Sequence, residues 1–224
     1  MSTERTGSAS PAAEDYLKAI YHLSEQGAAV STSALADRLG VAAGSVTGML
    51  KRLAEQGLVE HTRYYGARLT GGGQETAVRT IRKHRVLELF LVEVLGYSWD
   101  RVHDEAERLE HAASNELIER MAHVLGEPEH DPHGAPIPSA GGELNEVRWP
   151  CLLDVAAGAA AVLRQVPDED AAALRYLADL GLTPGAVVTM LELAPFNGPV
   201  RLRVSGEERV IGRELAGLVR VEPA

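Results

Sequence analysis

The stretch Ser33–Val59, SALADRLGVAAGSVTGMLKRLAEQGLV, decides the fold at the front of this chain. Ahead of it, the Ser31–Ser33 cluster supplies an N-cap for a short helix, Ala34–Leu39, because a serine hydroxyl satisfies a backbone N–H that the first turn leaves over. Gly40 ends that helix in the left-handed turn glycine tolerates best. A second helix runs from about Ala43 to Gln56, with Val46, Leu50 and Leu53 inward, and Gly57 stops it. Upstream, residues 14–26 (EDYLKAIYHLSEQ) put Tyr16, Ile20 and Leu23 on one helical stripe. Downstream, Leu58–Thr62, a turn at Tyr64–Gly66 and Ala67–Thr70 read as a small β-hairpin. Helix, helix, turn, helix, hairpin is the order of a winged helix-turn-helix, whose second helix enters a DNA major groove.

Beyond the hairpin the periodicity stays helical. One helix spans about Gln74 to Leu95, with Ile81, Leu87, Leu91 and Val94 apolar; another covers Trp99–Leu109 and continues through His111, and Glu116–Leu125 makes a third. Their apolar residues exceed what one thin core needs, which points to a homodimer interface. Gly126–Pro150 holds five prolines and four glycines, which break both ladders, so it reads as a linker; His130 and His133 could pass for metal ligands, but in so polar a stretch the solvated reading is preferred. From Leu152 the pattern turns to short strands: Ala160–Gln165, Val187–Leu193, Val200–Val204, Glu208–Ile211 and Leu218–Val221, with a short helix at Asp170–Leu180. Five short strands in some seventy residues predict a small SH3-like β-barrel. The expected fold is mainly α with small β parts. It comprises a winged helix-turn-helix over 1–73, a helical metal-binding and dimerisation domain over 74–126, a linker over 127–150 and an SH3-like domain over 151–224.

Composition bounds the function. Of 224 residues 45% are hydrophobic, enough for real cores. No apolar run reaches the ~18 residues needed to span a bilayer, and no signal peptide is evident, so the expectation is a cytoplasmic protein with no membrane partner. A single cysteine, Cys151, excludes an internal disulfide framework and is expected in a core. The net charge of −10 conceals an asymmetry: residues 1–85 carry eleven Lys+Arg against eight Asp+Glu, and the remainder eleven against twenty-four. A basic front on an acidic body is compatible with a DNA module fused to a differently employed domain.

A His/Glu array at helical spacing occupies the middle of the chain: His84 and Glu88, then His103, Glu107, Glu110 and His111. Residues three or four apart share a helix face. At about 100° per residue, His103, Glu107, Glu110 and His111 fall within about a 100° arc and climb roughly 12 Å, too far for one ion but right for two neighbours. Imidazole with carboxylate suits divalent transition metals, and an oxygen-rich mixture leans towards manganese or iron(II). The same array also fits a charged, solvated helix face, and the residues alone leave that alternative open.

EDYLKAIYHL, SALADRLGVAAGSVTGMLKRLAEQGLV, RKHRVLELFLVEVLG and VHDEAERLEH resemble, in order and spacing, the metal-dependent repressors of the diphtheria toxin repressor family, which includes iron-dependent regulators and manganese transport regulators. The tail LADLGLTPGAVVTMLELAPFNGPVRLRV resembles the SH3-like ferrous-transport (FeoA-type) domain of longer members. The resemblance implies a primary, DNA-activating metal site of Asp15, Glu107, Glu110 and His111, and an ancillary site of His84, Glu88 and His103. It further implies that the SH3-like domain can add a carboxylate and an amide to the ancillary site, for which Gln165 and Glu169 are candidates. Iron-responsive members have cysteine at the place of Glu107 and methionine at that of Asp15. Two carboxylates in place of two sulfur ligands harden the site and favour Mn2+, with Fe2+ as the alternative ion. Manganese regulators bridge two adjacent ions with a second glutamate on the first helix; here Lys18 stands there, which implies two separate sites. In the reading helix Gly48 replaces a glutamine of toxin-repressor-like members.

The function implied is a metal-dependent, manganese-responsive transcriptional regulator, a repressor of metal-uptake genes acting as a homodimer on palindromic double-stranded operator DNA. Ser45, Thr47, Lys51 and Arg52 are the candidate contacts on the reading helix, and Arg63 and Tyr65 those on the wing. Two rivals remain: a winged-helix regulator that answers to a ligand other than metal, and a metallo-hydrolase with an open position for water. The second lacks an HExxH or Ser/His/Asp arrangement, so no enzyme activity and no small organic substrate are expected.

Overall fold

The computed structural model describes residues 9–24, 27–62, 65–145 and 147–224. The chain forms two compact units. The first comprises Met1–Lys83, Glu110–Ala112 and Pro138–Glu143, and the second His84–Leu109, Ala113–Ile137 and Leu144–Ala224.

In the first unit, helix α1 (Pro11–Leu23) begins earlier than the sequence stripe suggested, because Ser10 caps it and Pro11 stands at its first position, where a missing N–H costs nothing. Helix α2 (Thr32–Leu39) is capped by Ser31 and closed by Gly40 at φ +63°. Helix α3 (Ala43–Glu55) buries Val46, Leu50 and Leu53, the three positions its period marked as inward. Strands β1 (Val59–Thr62) and β2 (Gly66–Leu69) pair antiparallel from Val59↔Leu69 to Thr62↔Gly66, and Val30 bridges to Ala67 alongside. Leu17, Ile20, Leu35, Val46, Leu50 and Leu53 form one core with no exposure, so α1, α2, α3 and the wing are packed as a block. This is the winged helix-turn-helix. Helix α4 (Gly71–Glu93) contributes its first half to this unit and its second half to the other.

The second unit holds most of helix α5 (Val102–Glu110), helix α6 (Asn115–Val124, capped by Ser114) and the C-terminal β-domain. Val86, Leu87, Ala106, Ile118, Ala122 and Ile137 make a small helical core. The β-domain contains β3 (Ala160–Gln165), α7 (Ala171–Asp179), β4 (Val187–Leu193), β5 (Val200–Val204), β6 (Glu207–Ile211), α8 (Arg213–Leu218) and β7 (Arg220–Pro223). All neighbours in its sheet are antiparallel, in the order β6-β5-β4-β3-β7. Strand β5 alternates buried Val200, Leu202 and Val204 with exposed Arg201 and Arg203, the period-two pattern of a sheet with one wet face. The last strand starts two residues later than expected. The Leu218 end assigned to it belongs to α8, which turns Ala216 into the core, and β7 pairs with β3. Cys151 is half-buried, its Sγ donating to Asp154 Oδ2. Among the described residues no helix is long and apolar enough to cross a membrane.

The Pro/Gly-rich segment differs from the expected solvated linker. His130 bridges to Pro136, Val166 N–H donates to His133 C=O at 3.0 Å, and Asp131 and His133 are buried. Gly134, at φ +89°, brings its backbone against β3: a Cβ there would lie 1.8 Å from Arg164 C=O. Gly134→Ala is therefore expected to destabilise the second unit by on the order of 2 kcal/mol or more. Gly142→Ala, also at positive φ but with open space around its Cβ, should cost about 1 kcal/mol, the backbone term alone. Urea unfolding of the two variants checks this, and equal losses would contradict the close approach.

Candidate metal centres and reading helix

Within the first unit, α1 carries Glu14, Asp15 and Lys18 towards Glu110 and His111, which end α5 and begin the following turn. Buried Ala13, Leu17 and Ile20 anchor the opposite flank of α1, which fixes the rotation of these side chains. His111 is held from both ring nitrogens: Nδ1 lies 2.6 Å from Glu14 Oε2 and Nε2 lies 2.9 Å from Asp15 Oδ1. Nε2 is also 3.6 Å from Glu110 Oε1. Lys18 Nζ donates to the same Glu110 oxygen at 2.7 Å, and Glu110 has no exposure. Burial disfavours the His111 imidazolium, but its hydrogen bond to Glu14 and the charges of Asp15, Glu110 and Glu14 outweigh that and raise its pKa. One donor atom from each of Asp15, Glu110 and His111 lies within 4.8 Å of the others. Three of the four residues expected for the primary site thus come together here. The fourth, Glu107, belongs to the second unit, where its carboxylate is 3.9 Å from His103 Nε2.

In the second unit Glu88 is the centre. It sits one turn after His84 on α4 and has no exposure. Its Oε1 is 3.0 Å from His84 Nε2 and 3.1 Å from His103 Nδ1, and those two nitrogens are 3.2 Å apart. The three residues expected for the ancillary site therefore share one point. The other oxygen, Glu88 Oε2, is 3.8 Å from His133 Nδ1. His133 is oriented by a 2.8 Å contact of Nε2 with Trp99 C=O, its ring packed against the indole at 5.3 Å between centroids. Asp131 Oδ1 accepts from the backbone N–H of His133 and of Ala135, while Oδ2 lies 3.7 Å from Arg85 Nε. Glu88, Asp131, His133 and Asp168 form a second ligand set with donor atoms within 4.8 Å.

Electrostatics mark this set as short of positive charge. Burial opposes ionisation of Glu88, yet the charge of His84 and the imidazoles of His103 and His133 hold its carboxyl well below the usual range. Burial and the neighbouring Glu88 charge push Asp131 up to about 7. Burial disfavours the charged His133, but Glu88, Asp131 and the Trp99 carbonyl raise it to about 9. Glu88 Oε2, Asp131 Oδ2 and His133 Nδ1 are buried without a hydrogen-bond partner among the described residues. Buried polar atoms are rarely left so, and an oxygen–imidazole donor set of this kind fits a divalent cation.

Of Asp131, His133 and Asp168, the sequence offers only His133 as a candidate metal ligand, and there the solvated reading is preferred. The first two lie in a stretch whose composition reads as linker, and their only signal was the D-x-H spacing beside that of His130. Of the two candidates near the barrel, Glu169 is exposed and Gln165 is half-buried on β3; the carboxylate brought to the cluster is Asp168.

On α3 the expected DNA contacts Ser45, Thr47, Lys51 and Arg52 are all exposed, opposite the buried Val46, Leu50 and Leu53. Thr47 Oγ1 donates to Ala43 C=O one turn back. A methyl group at Gly44 or Gly48 would meet nothing beyond its own helix within 4 Å, so this face is unobstructed. Tyr65 on the wing is exposed; Arg63 lies outside the described residues.

Comparison with known proteins gives the same order of parts. Residues 9–67 match the family described as iron dependent repressor, N-terminal DNA binding domain. Residues 70–139 match iron dependent repressor, metal binding and dimerisation domain, and residues 151–223 match the FeoA domain. The chain is 34% identical over 225 residues to the iron-dependent repressor IdeR of Mycobacterium tuberculosis, covering 93% of this chain and 96% of the relative. It is 35% identical over 125 residues to the diphtheria toxin repressor of Corynebacterium diphtheriae, covering 56% of this chain and 55% of that one. Among solved structures, a manganese-dependent transcriptional repressor in complex with manganese superposes with a TM-score of 0.87 at 38% identity, over 95% of this chain and 100% of the other. ScaR with bound Zn2+ does so with a TM-score of 0.81 at 32% identity, over 95% and 99%. With a winged helix-turn-helix, two His/carboxylate clusters and a terminal SH3-like sheet in that order, the chain belongs to the iron-dependent repressor family of metal-dependent transcriptional repressors.

Proposed function

We propose that this chain is a manganese-responsive repressor of metal-uptake genes in the cytoplasm, with Fe2+ as the alternative ion, and that it binds a palindromic operator as a homodimer. The observation that carries the reading is the junction of Asp15 on α1 with Glu110 and His111 at the end of α5, three metal-type donors drawn from sequence positions far apart. Asp15, Glu110 and His111 would hold the activating ion, with Glu107, one turn before Glu110 on α5, as the fourth ligand expected from the sequence. Glu88 would serve the second centre, facing His84 and His103 with one oxygen and His133 with the other, in a set that Asp131 and Asp168 complete. When bound, the cation supplies positive charge that neutralises clustered carboxylates and ties α1 to the chain around Glu110. Asp15 and His111 then fix α1, and α1 fixes α3 through the shared core of Leu17, Ile20, Val46 and Leu50. The DNA-competent arrangement is favoured only by as much as it binds the ion more tightly than its alternatives.

A homodimer is supported by apolar surface on α6 and in the turn after α4 in the second unit: Leu117 and Val124 on α6 are 44% and 67% exposed, and Leu95 in the turn 58%, more than a monomer needs to leave wet. Lys51 and Arg52 suit phosphate, while Ser45, next to the bare Gly44 and Gly48, suits base edges.

The test is operator binding with and without Mn2+. In Asp15→Ala and His111→Ala variants, stimulation by Mn2+ should fall by about tenfold or more with the fold intact by circular dichroism. Undiminished stimulation would reject the site. Lys51→Ala should weaken binding at every sequence alike and lower the salt slope by about one; a change confined to one operator position would instead make Lys51 a base reader.

Protons and metal compete for the same imidazoles. The folded-state pKa of His133 is raised from 6.5 to about 9, so its protonation stabilises the metal-free fold fully below pH 6.5 and less as pH climbs through 9. The metal-free protein should therefore lose up to about 3 kcal/mol between pH 6.5 and 9. Asp131, raised from 3.8 to about 7, adds a loss of the same sign at lower pH. Mn2+ affinity should rise over the same interval. Thermal melts in chelator, paired with Mn2+ titrations, measure both trends; a melting curve flat from pH 6.5 to 9 contradicts the assignment.

A further inference from the structure

We propose that Asp100 and Arg175 form a latch through which the β-domain sets the affinity of the second centre, with Arg175 a positioning residue that acts on His133 by way of Trp99. The proposal rests on the reading of the Glu88 cluster as a metal centre. The latch lies in the loop from Val94 to Arg101, between α4 and α5, where every residue except Trp99 and Asp100 is exposed. The Trp99 indole packs against the core of the β-domain. Arg175 follows the buried Leu174 on α7, and its Nη1 donates to Asp100 Oδ2 at 2.9 Å. The aspartate side chain is 11% exposed and the arginine side chain 57%.

What the latch holds is the imidazole of His133. The segment that carries His133 fixes its backbone, through Asp131 and Val166, but the ring still has to be turned towards the cluster. Trp99 does this in two ways. Its carbonyl meets Nε2 at 2.8 Å, and a carbonyl can only accept, so Nε2 carries the proton and Nδ1 is the nitrogen left to face Glu88 Oε2 at 3.8 Å. Its indole covers the ring, with centroids 5.3 Å apart and planes inclined at 34°. A ligating histidine depends on such a partner for its tautomer and its aim, and losing the partner costs about 10- to 100-fold in metal affinity. The same loop leads within three residues to His103, which meets the other Glu88 oxygen, so both sides of the carboxylate are reached from Trp99 and Asp100. An ion pair this open to water adds little to global stability. Its weight falls on a loop that is otherwise exposed, where local opening answers to the few contacts present.

The experiment uses the full chain in a His111→Ala, Trp149→Phe background. The first change silences the cluster on α1, and the second leaves Trp99 as the one indole. Mn2+ is titrated by calorimetry and by Trp99 emission, which a paramagnetic ion at the second centre quenches. Arg175→Ala is expected to weaken this binding about tenfold, while the melting temperature in chelator stays that of the background. Arg175→Lys, which keeps the charge, should recover most of the loss. The reversed pair, Asp100→Arg with Arg175→Asp, should recover it too, although Asp100→Arg alone is at least as damaging as Arg175→Ala. Arg201→Ala, which removes an arginine paired with Glu192 and Glu208 on the same domain, should change nothing. Background affinity in Arg175→Ala, or a reversed pair no better than either single change, overturns the proposal. Glu88→Gln in the same background must abolish uptake; if Mn2+ still binds, the cluster is no metal site, and that failure is distinct from a failure of the latch.

Discussion

A carboxylate without access to water must be matched by positive charge or lose its own. Glu88 and Glu110 are both fully buried, and each is surrounded by groups that supply that charge imperfectly. Leaving a charged side chain dry is among the costlier things a fold can do. Here the cost is met by imidazoles, which can carry a proton or surrender it to a metal, and by Lys18. The clusters are partly satisfied by these groups and still have something to gain from a metal. That combination is what a sensor requires: a site fully satisfied by protons and ammonium groups would ignore metal, and one satisfied by nothing would not fold.

The same residues join the site to the fold. Asp131 spends one oxygen on two backbone N–H groups, which closes the turn around His133, and its other oxygen lies buried 3.7 Å from Arg85 Nε. Gly134 allows that turn to lie directly on β3, and Val166 N–H closes the contact through the His133 carbonyl. The barrel therefore positions His133 through backbone geometry and delivers Asp168 from the segment ahead of α7. In the first unit the logic is helical. Leu17 and Ile20 lock α1 into the core shared with α3, so anything that holds Glu14 and Asp15 also bears on the helix that exposes Ser45 and Lys51.

Much of this was legible in the residues because the signals are local. Ser31, Gly40 and Gly57 punctuate the helix pair, and Val46, Leu50 and Leu53 declare its inner face. The alternation Val200-Arg201-Leu202-Arg203-Val204 announces a strand. His84 and Glu88 were visible because four residues on a helix are one turn. What stayed hidden depends on non-local packing. Asp131 and His133 sit in a stretch with no period, ordered by contacts with β3 more than thirty residues away, and composition alone assigns such a stretch to solvent. Helix α8 was missed for a related reason: Arg213–Leu218 is too short to show a helical stripe, and Ala216 is buried only because the barrel folds over it.

The donor chemistry also constrains how such a protein discriminates between ions. Both clusters offer oxygen and imidazole, and the chain's one thiol, Cys151, is engaged with Asp154 away from either set. Such donors bind Mn2+ more weakly than the later divalent metals, so tightness of binding cannot by itself select manganese. Discrimination must come from geometry, from whether a given ion engages Asp15 on α1 together with Glu110 and His111 or is content with fewer of them. An ion content with fewer protein ligands would be held by His111 and Glu110 without engaging Asp15 on α1. One that accepts a larger oxygen-rich shell recruits them all. On the proposed reading occupancy and response would be separate quantities, and the side chains deciding the second would be those on α1: Asp15, which an ion would have to reach, and Glu14, whose 2.6 Å contact with His111 Nδ1 would aim the imidazole towards it.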